Sequence, residues 1–246
     1  MKSSENISDQ LVSAFRTAQH VVAFTGAGMS AESGVPTFRG DDGIWKTFKP
    51  EELANLNAFM RNPALVWEWY AARKKVIAEV QPNPGHYALA EMERKFSSFA
   101  VITQNIDNLH RRAGNKNVFE LHGNIERNYC MKCGTNFTNE YVLAGAAVPQ
   151  CTCGGMIRPD VVWFGEMLPE DEWEGAIRAC RSADVLLSVG TSGVVYPAAS
   201  LPQTAKLAGA YVIEINPEPT SLSSHADVFL QGKSGEILPA ILAAIR

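Results

Sequence analysis

The sequence predicts an α/β fold: an open parallel sheet with helices on both faces, plus a small module inserted in the chain. Three observations predict it. Short apolar runs alternate with helical stretches, the order expected of βαβ units. Each apolar run delivers Gly, Ser, Asn, Asp or His at its end, where a parallel sheet presents its ligand-binding edge, although such residues also serve as plain turns. Four of the five cysteines stand in two close pairs, within a stretch poor in long apolar runs.

The elements follow in order. Residues 8–19 read as a helix with Leu11, Phe15 and Ala18 on one face. A short buried strand over 21–24 runs into Gly26-Ala27-Gly28-Met29-Ser30-Ala31, which fits G-x-G-x-x-G/A. Glycines there let the backbone approach a pyrophosphate, and the following amides face it. Alone the pattern is weak. The acidic ribose ligand of a dehydrogenase should follow a second strand, and the chain offers Pro36, Phe38 and Arg39 instead. That disfavours an NAD dehydrogenase but not a dinucleotide, over which a loop carrying Phe38 and Arg39 is placed to close.

Asn62-Pro63 is a helix start, Asn as cap and Pro at the first helical position. The helix runs to about Val80, before Pro82 and Pro84. Tyr70 and Arg73 share one of its faces, on a stripe with Val66 and Ile77 beside the main apolar stripe of Leu65, Trp69, Ala72 and Val76. Arg matches a carboxylate bidentately and Tyr adds a donor; a partly buried Arg paired within the protein is an equal alternative. A short helix over 86–95 precedes a strand over 99–103, which delivers Gln104-Asn105-Ile106-Asp107. A strand over 117–121 delivers His122-Gly123. A lone histidine is usually structural, and His110 is read that way. His122 next to a carboxylate and two amides can instead bind a ribose and act as a base.

Residues 129–159 form the inserted module. Cys130-Met-Lys-Cys133 with Cys151-Thr-Cys153 makes a four-thiolate set that suits one structural Zn²⁺, although the second pair is C-x-C. Cys180 reads as a core residue. Residues 161–165 resume the main domain. The strand over 184–189 delivers Gly190-Thr191-Ser192, and that over 211–215 delivers Asn216-Pro217-Glu218. A last helix over 235–245 puts Leu238, Ile241, Leu242 and Ile245 on one side.

A net charge of −4 gives no reason to expect nucleic acid or an anionic membrane. The N-terminal MKSSENISDQ lacks the apolar core of a signal peptide, and no apolar run reaches the length of a membrane span. The expectation is a soluble, cytoplasmic monomer without nucleic-acid or membrane partners.

Together the motifs resemble the sirtuins, NAD-dependent protein lysine deacylases. Gly26 to Ser30, Glu32-Ser-Gly34, Thr37-Phe-Arg39, Thr103 to Asp107, Leu121-His-Gly123, the four cysteines, Val162 to Glu166, Gly190 to Ser192 and Asn216 to Glu218 stand in family order. The resemblance implies a Rossmann-like NAD-binding domain (1–35, 85–125 and 160–246). It also implies a small domain made of a cofactor loop and helical part (36–84) and a zinc-binding module (126–159). By resemblance, NAD would contact Gly26, Ala27, Gly28, Ser30, Glu32, Phe38, Arg39 and Trp45. Gln104, Asn105, Ile106 and Asp107 would surround the nicotinamide ribose and amide. Gly190, Thr191, Ser192, Asn216, Pro217, Glu218 and Ser234 would line the adenosine end. Asn105 and Asp107 would assist catalysis with His122 as general base, giving free lysine, nicotinamide and O-acyl-ADP-ribose. Val162, Phe164, Gly165, Glu166 and Val194, with Val195, would take an acyl-lysine peptide as an added strand. Trp67 to Arg73 resembles the subgroup that removes succinyl and malonyl groups, with Ala54 leaving room for a longer acyl chain. Two other readings stay open: a mono-ADP-ribosyltransferase using the same NAD site, and a non-catalytic NAD- and zinc-binding module.

Overall fold

The computed structural model describes residues 7–37 and 50–245. In chain order the elements are α1 (Asp9–Thr17), β1 (His20–Thr25), α2 (Ala27–Ala31), α3 (Pro50–Leu53), α4 (Leu56–Arg61), α5 (Pro63–Glu79), α6 (Pro84–Glu93), β2 (Ser98–Thr103), α7 (Leu109–Ala113), β3 (Val118–Glu120), β4 (Gly123–Cys130), β5 (Asn136–Phe137), α8 (Asn139–Ala144), β6 (Ile157–Val161), α9 (Glu170–Ser182), β7 (Val185–Val189), α10 (Leu201–Leu207), β8 (Tyr211–Asn216), β9 (Val228–Gln231) and α11 (Ser234–Ala244). Capping residues fix several starts. Ser8 Oγ accepts from Leu11 N–H at 3.2 Å, and Asn62 Oδ1 accepts from Leu65 N–H at 3.2 Å with Pro63 next in line.

Six strands form a parallel sheet in the order β3-β2-β1-β7-β8-β9. Taken alone, these strands run 3-2-1-4-5-6, the doubly wound Rossmann order. The register sets Thr25 beside Thr103 on one side and Val189 on the other, so three strand ends align. Successive residues of β1 feed opposite cores. Val21 and Ala23 pack under α1, α6 and α11, whereas Val22 and Phe24 pack under α9 and α10. Both faces are covered, which is why the strands read as continuous apolar runs. Cys180 lies in the second of these cores, and burial pushes its thiol up to about 12.

A second sheet, β5-β4-β6, is antiparallel and packs with α4 and α5 around a third core containing Phe59, Tyr70, Ile125 and Trp163. Two expectations are corrected here. Residues 161–165, expected to resume the main domain, pack with the small core: Val161 ends β6, and Trp163 is buried against Phe59 with ring centroids 5.1 Å apart. The buried face of α5 is Val66, Trp67, Trp69, Tyr70, Lys74 and Ile77, while Ala72 and Val76 are exposed. Apolar residues surround this helix, so periodicity alone does not select a face. Lys74 is buried because its Nζ donates to the Ile125 carbonyl and to Asn139 Oδ1, tying α5 to β4 and α8.

Two histidines lie beneath the carboxyl edge of the large sheet. His86 Nδ1 accepts from Asn83 N–H at 3.3 Å, and His110 Nε2 sits 2.9 Å from Thr25 Oγ1, with the rings 4.8 Å apart. Burial pushes His86 down to about 3 and His110 well below its ordinary value, so both are neutral in the fold. The unfolded chain protonates them near their ordinary value of 6.5. Their contribution is therefore fully present above that pH and is lost as pH falls from 6.5 toward the folded values. The two together should cost about 2.7 kcal/mol of stability per pH unit once pH is below about 6. Urea unfolding between pH 7 and 5 checks this; a pH-independent midpoint would contradict it, and His86→Gln should remove about half the slope.

Candidate active site

The strand order reverses between β1 and β7, and a cleft opens at their carboxyl ends. Its floor is nearly bare backbone. Gly26 N–H donates to Val189 O at 3.0 Å and Gly28 N–H to Gly190 O at 2.8 Å. A Cβ on Gly28 would meet Gly190 Cα at 2.7 Å, and Gly190 adopts a φ of +59°. Only glycines let the two loops press together this closely.

The cleft has a volume of about 1100 Å³. It gathers Gly26, Ala27, Gly28, Glu32, Ala54, Tyr70, Arg73, Gln104, Asn105, Ile106, His122, Val162, Phe164, Gly165, Glu166, Gly190, Thr191, Ser192, Asn216, Pro217, Glu218 and Ser234 on one wall system. Ser30, Asp107 and Val194 are not on that wall, whereas Val195 is. Phe38, Arg39 and Trp45 lie outside the described residues.

A set of hydrogen bonds fixes the wall in place. Asn105 Nδ2 donates to Gly26 O at 2.9 Å and to Ser30 Oγ at 3.1 Å, joining the β2 end to the glycine turn. Asp107 is buried and accepts from Leu109 N–H at 3.0 Å. Burial raises its pKa, opposed by a Ser30 hydrogen bond, the Leu109 amide, Arg112 and Arg73. Glu32 fastens α11 to the glycine turn, accepting from Gly235 N–H at 2.7 Å and Ser234 Oγ at 3.1 Å.

His122 Nδ1 lies 3.0 Å from the Gln104 carbonyl. A carbonyl only accepts, so Nδ1 carries the proton and Nε2 the lone pair. Burial lowers the His122 pKa, and the Gln104 carbonyl partly restores it. The imidazole is thus an uncharged base at neutral pH. Its own carbonyl accepts from Val162 N–H at 3.0 Å, and Phe164 N–H donates to Ala54 O at 2.9 Å. The 162–166 strip is thereby fixed between His122 and Ala54. Phe164, Met167, Val194 and Tyr196 are exposed apolar side chains around it.

Tyr70 is fully buried and its hydroxyl oxygen accepts from Trp163 Nε1–H at 2.9 Å. Arg73 lies one turn on, half-buried, its guanidinium 4.7 Å from the Trp69 ring centroid. Burial lowers the Arg73 pKa, opposed by Tyr70 and Asp107, and raises that of Tyr70, which keeps the phenol in its protonated form.

Sequence reasoning missed some of the wall. Gly232 and Lys233 line the cleft at the end of β9, a strand too short and too exposed to stand out. The rule that strand ends deliver ligand-facing residues would have reached them had the strand been seen. Glu214, buried in β8, accepts from Thr220 Oγ1 and Ser223 Oγ at 2.5 Å each and so holds the loop after Glu218. Its alternation within an otherwise apolar strand was the available signal.

The four paired cysteines meet. Their sulfurs all lie within 4.8 Å of one another, with Cys130–Cys153 at 3.5 Å and Cys133–Cys151 at 3.6 Å. A tetrahedral site with Zn–S bonds of about 2.3 Å needs edges of about 3.8 Å. The set fits Zn²⁺ without an open position, as in a structural site.

The Sir2 family profile matches residues 26–197. This chain belongs to the Sir2 family. The protein named NAD-dependent protein deacylase 2 of Pyrobaculum aerophilum is 53% identical over 242 residues, covering 98% of this chain and 95% of that protein. The solved complex of a Sir2 homologue with NAD superposes at a TM-score of 0.91 with 46% identity, covering 98% and 94% of the two chains. A Sir2–p53 peptide–NAD⁺ complex superposes at 0.88 with 33% identity, covering 96% and 97%. Fold and cleft are thus those of a Sir2 family member, with the glycine floor, His122 and the cysteine cluster in one structure.

Proposed function

We propose that this Sir2 family protein, an NAD-dependent protein deacylase, transfers the acyl group of a modified lysine to ADP-ribose, and that it takes acidic acyl groups, succinyl and malonyl, as well as acetyl. The observation that carries the reading is a single cleft that joins a glycine floor, a fixed neutral His122 and the Tyr70–Arg73 pair. The named deacylase relative and the NAD and peptide complexes of Sir2 homologues support it.

NAD fits the donor set: the small residues Gly26, Ala27, Gly28 and Gly190 admit a pyrophosphate to the backbone, and Lys233 stands on the same wall. When bound, NAD supplies an electrophilic ribose carbon from which the acyl oxygen displaces nicotinamide. This chain's residues do the rest. Asn105, anchored to Gly26 and Ser30, orients the ribose and amide with Gln104, and Asp107 holds that loop from behind. His122 Nε2 takes a proton from a ribose hydroxyl, while Nδ1–H stays on Gln104. The 162–166 strip and Val195 present backbone to a peptide as an added strand, consistent with recognition of many sequences. Cys130, Cys133, Cys151 and Cys153 would hold a structural Zn²⁺, which would tie the end of β4 to the turn before β6.

The acidic-acyl reading rests on Arg73 and Tyr70 lining the same cleft as His122, with Ala54 adding little bulk. A carboxylate tail gains charge-assisted hydrogen bonds there; an acetyl group does not. Arg73→Met should lower kcat/KM on succinyl-lysine by about 100-fold, the loss of two such bonds, and on acetyl-lysine only a few-fold. The check is one peptide carrying acetyl-, malonyl- or succinyl-lysine, with nicotinamide and acyl-ADP-ribose followed by mass. Equal losses on all three would send Tyr70 and Arg73 back to a structural role.

A further inference from the structure

The Tyr70 hydroxyl is held from behind. An indole N–H has no lone pair to offer and can only donate. Trp163 Nε1–H donates to the Tyr70 oxygen at 2.9 Å, which occupies one of its acceptor directions. The hydroxyl's own hydrogen must then point elsewhere, and no described residue accepts it. The neighbouring Arg73 carries donors only. Both groups sit on the cleft wall, so the proton that Tyr70 can give is directed to a ligand acceptor beside the Arg73 guanidinium.

Trp163 is itself locked. Its indole is buried, lies against Phe59, and is covered on one face by the Arg158 guanidinium, 3.4 Å from the ring centroid. Arg158 is buried too. Its fork meets both oxygens of Glu166, at 2.5 and 2.9 Å, and it also donates to Val161 O at 2.8 Å. The same Glu166 carboxylate accepts from Trp163 N–H at 2.8 Å. Arg158 therefore fixes Trp163 twice, by stacking on its ring and by closing a loop of hydrogen bonds on its backbone. A planar, always-charged fork does both; a lysine does not. Glu166, expected from sequence as a peptide contact, also commits both carboxylate oxygens to this clamp.

We infer that Trp163 and, behind it, Arg158 are positioning residues for an acidic acyl tail: the indole N–H turns the Tyr70 hydroxyl into a committed donor facing the tail's carboxylate next to Arg73. The inference rests on the acidic-acyl reading above and adds residues that the Tyr-x-x-Arg spacing does not reveal. Phenylalanine at position 163 keeps the ring and its packing but removes the N–H, which leaves the Tyr70 hydroxyl free to rotate.

The test is steady-state kinetics of Trp163→Phe on the succinyl- and acetyl-lysine forms of one peptide, with equilibrium binding of both peptides and Tm as companions. The loss on succinyl-lysine should exceed that on acetyl-lysine by about tenfold, the worth of one hydrogen bond to a charged group. It should appear in KM and peptide Kd rather than kcat, because the tail is bound equally in ground and transition states. In a Tyr70→Phe background, Trp163→Phe should not change the succinyl-to-acetyl ratio further, since the two act through one hydroxyl. Arg158→Lys should shift the ratio in the same direction. Equal losses on both acyl groups, or a shift in the ratio that persists without the Tyr70 hydroxyl, would overturn the inference. The two readings fail separately. If Arg73→Met is selective and Trp163→Phe is not, only the positioning inference falls; if neither is selective, the acidic-acyl reading falls with it.

Discussion

His122→Ala should reduce kcat by about 10²–10⁴-fold, the usual contribution of a positioned general base. The argument is geometric before it is electrostatic. The Gln104 carbonyl 3.0 Å from Nδ1 selects one tautomer and leaves Nε2 as the only basic atom of the ring. Burial lowers the pKa of the imidazole, so the neutral form persists to more acid pH than for an ordinary histidine. The acid limb of kcat/KM should therefore fall with a midpoint below 6.5, with activity rising as His122 loses its proton. Binding of NAD should be little affected, because the glycine floor and Asn105 do not depend on the imidazole. The measurement is nicotinamide release and acyl-ADP-ribose formation from pH 5 to 9 for both proteins. Near-normal turnover by the variant would remove His122 from the chemistry, and an acid limb well above 6.5 would contradict its environment.

The large sheet was legible because its strands obey two simple rules at once. They are buried on both faces, hence continuous apolar runs, and they stop at residues that line the cleft. Helix starts at Ser8 and Asn62 were legible because caps are local chemistry. The α5 face was not, since a helix with apolar residues on most sides takes its orientation from its neighbours. Of those neighbours, Phe59 comes from the preceding helix, but Ile125 and Trp163 come from distant parts of the chain. Residues 161–165 misled for the same reason. Their apolar character is real, but it serves the small core and not the large sheet. At the site, residues that touch the cleft were mostly readable from motifs, whereas residues that hold them were not. Ser30 and Asp107, expected at the ligand, meet the Asn105 amide and the Leu109 N–H in this structure. Arg158 drew no attention, because a buried guanidinium stacked on Trp163 is a long-range event with no local signature.

Cys151→Ser should lose the metal and, with it, the small sheet. Cys130 ends β4, Cys151 and Cys153 precede β6, and the ladder between those strands at that end pairs Asn128, Tyr129 and Cys130 with Pro159, Arg158 and Ile157. A four-thiolate Zn²⁺ site contributes apparent folding energy of about 10–16 kcal/mol in small zinc domains. At the cysteine end itself the remaining support is slight: β5 is a two-residue strand and α8 has one buried residue, Val142. The consequence should reach the chemistry although no sulfur faces the cleft. β6 carries Arg158, Arg158 holds Trp163 and Glu166, and Val162 hydrogen-bonds the His122 carbonyl. Loss of order in β6 thus loosens both the peptide strip and the acyl pocket. The expected result is a drop from one zinc per chain to almost none, an earlier first unfolding transition, and loss of deacylation, with NAD binding at the large sheet retained in part. Cys180→Ser, in the core under α9, should keep its zinc and provides the control. Elemental analysis, thermal unfolding and the acyl-transfer assay on the two variants decide it. A metal-free Cys151→Ser protein that stays folded and active would show that the cysteine cluster is not what holds β4 and β6 together.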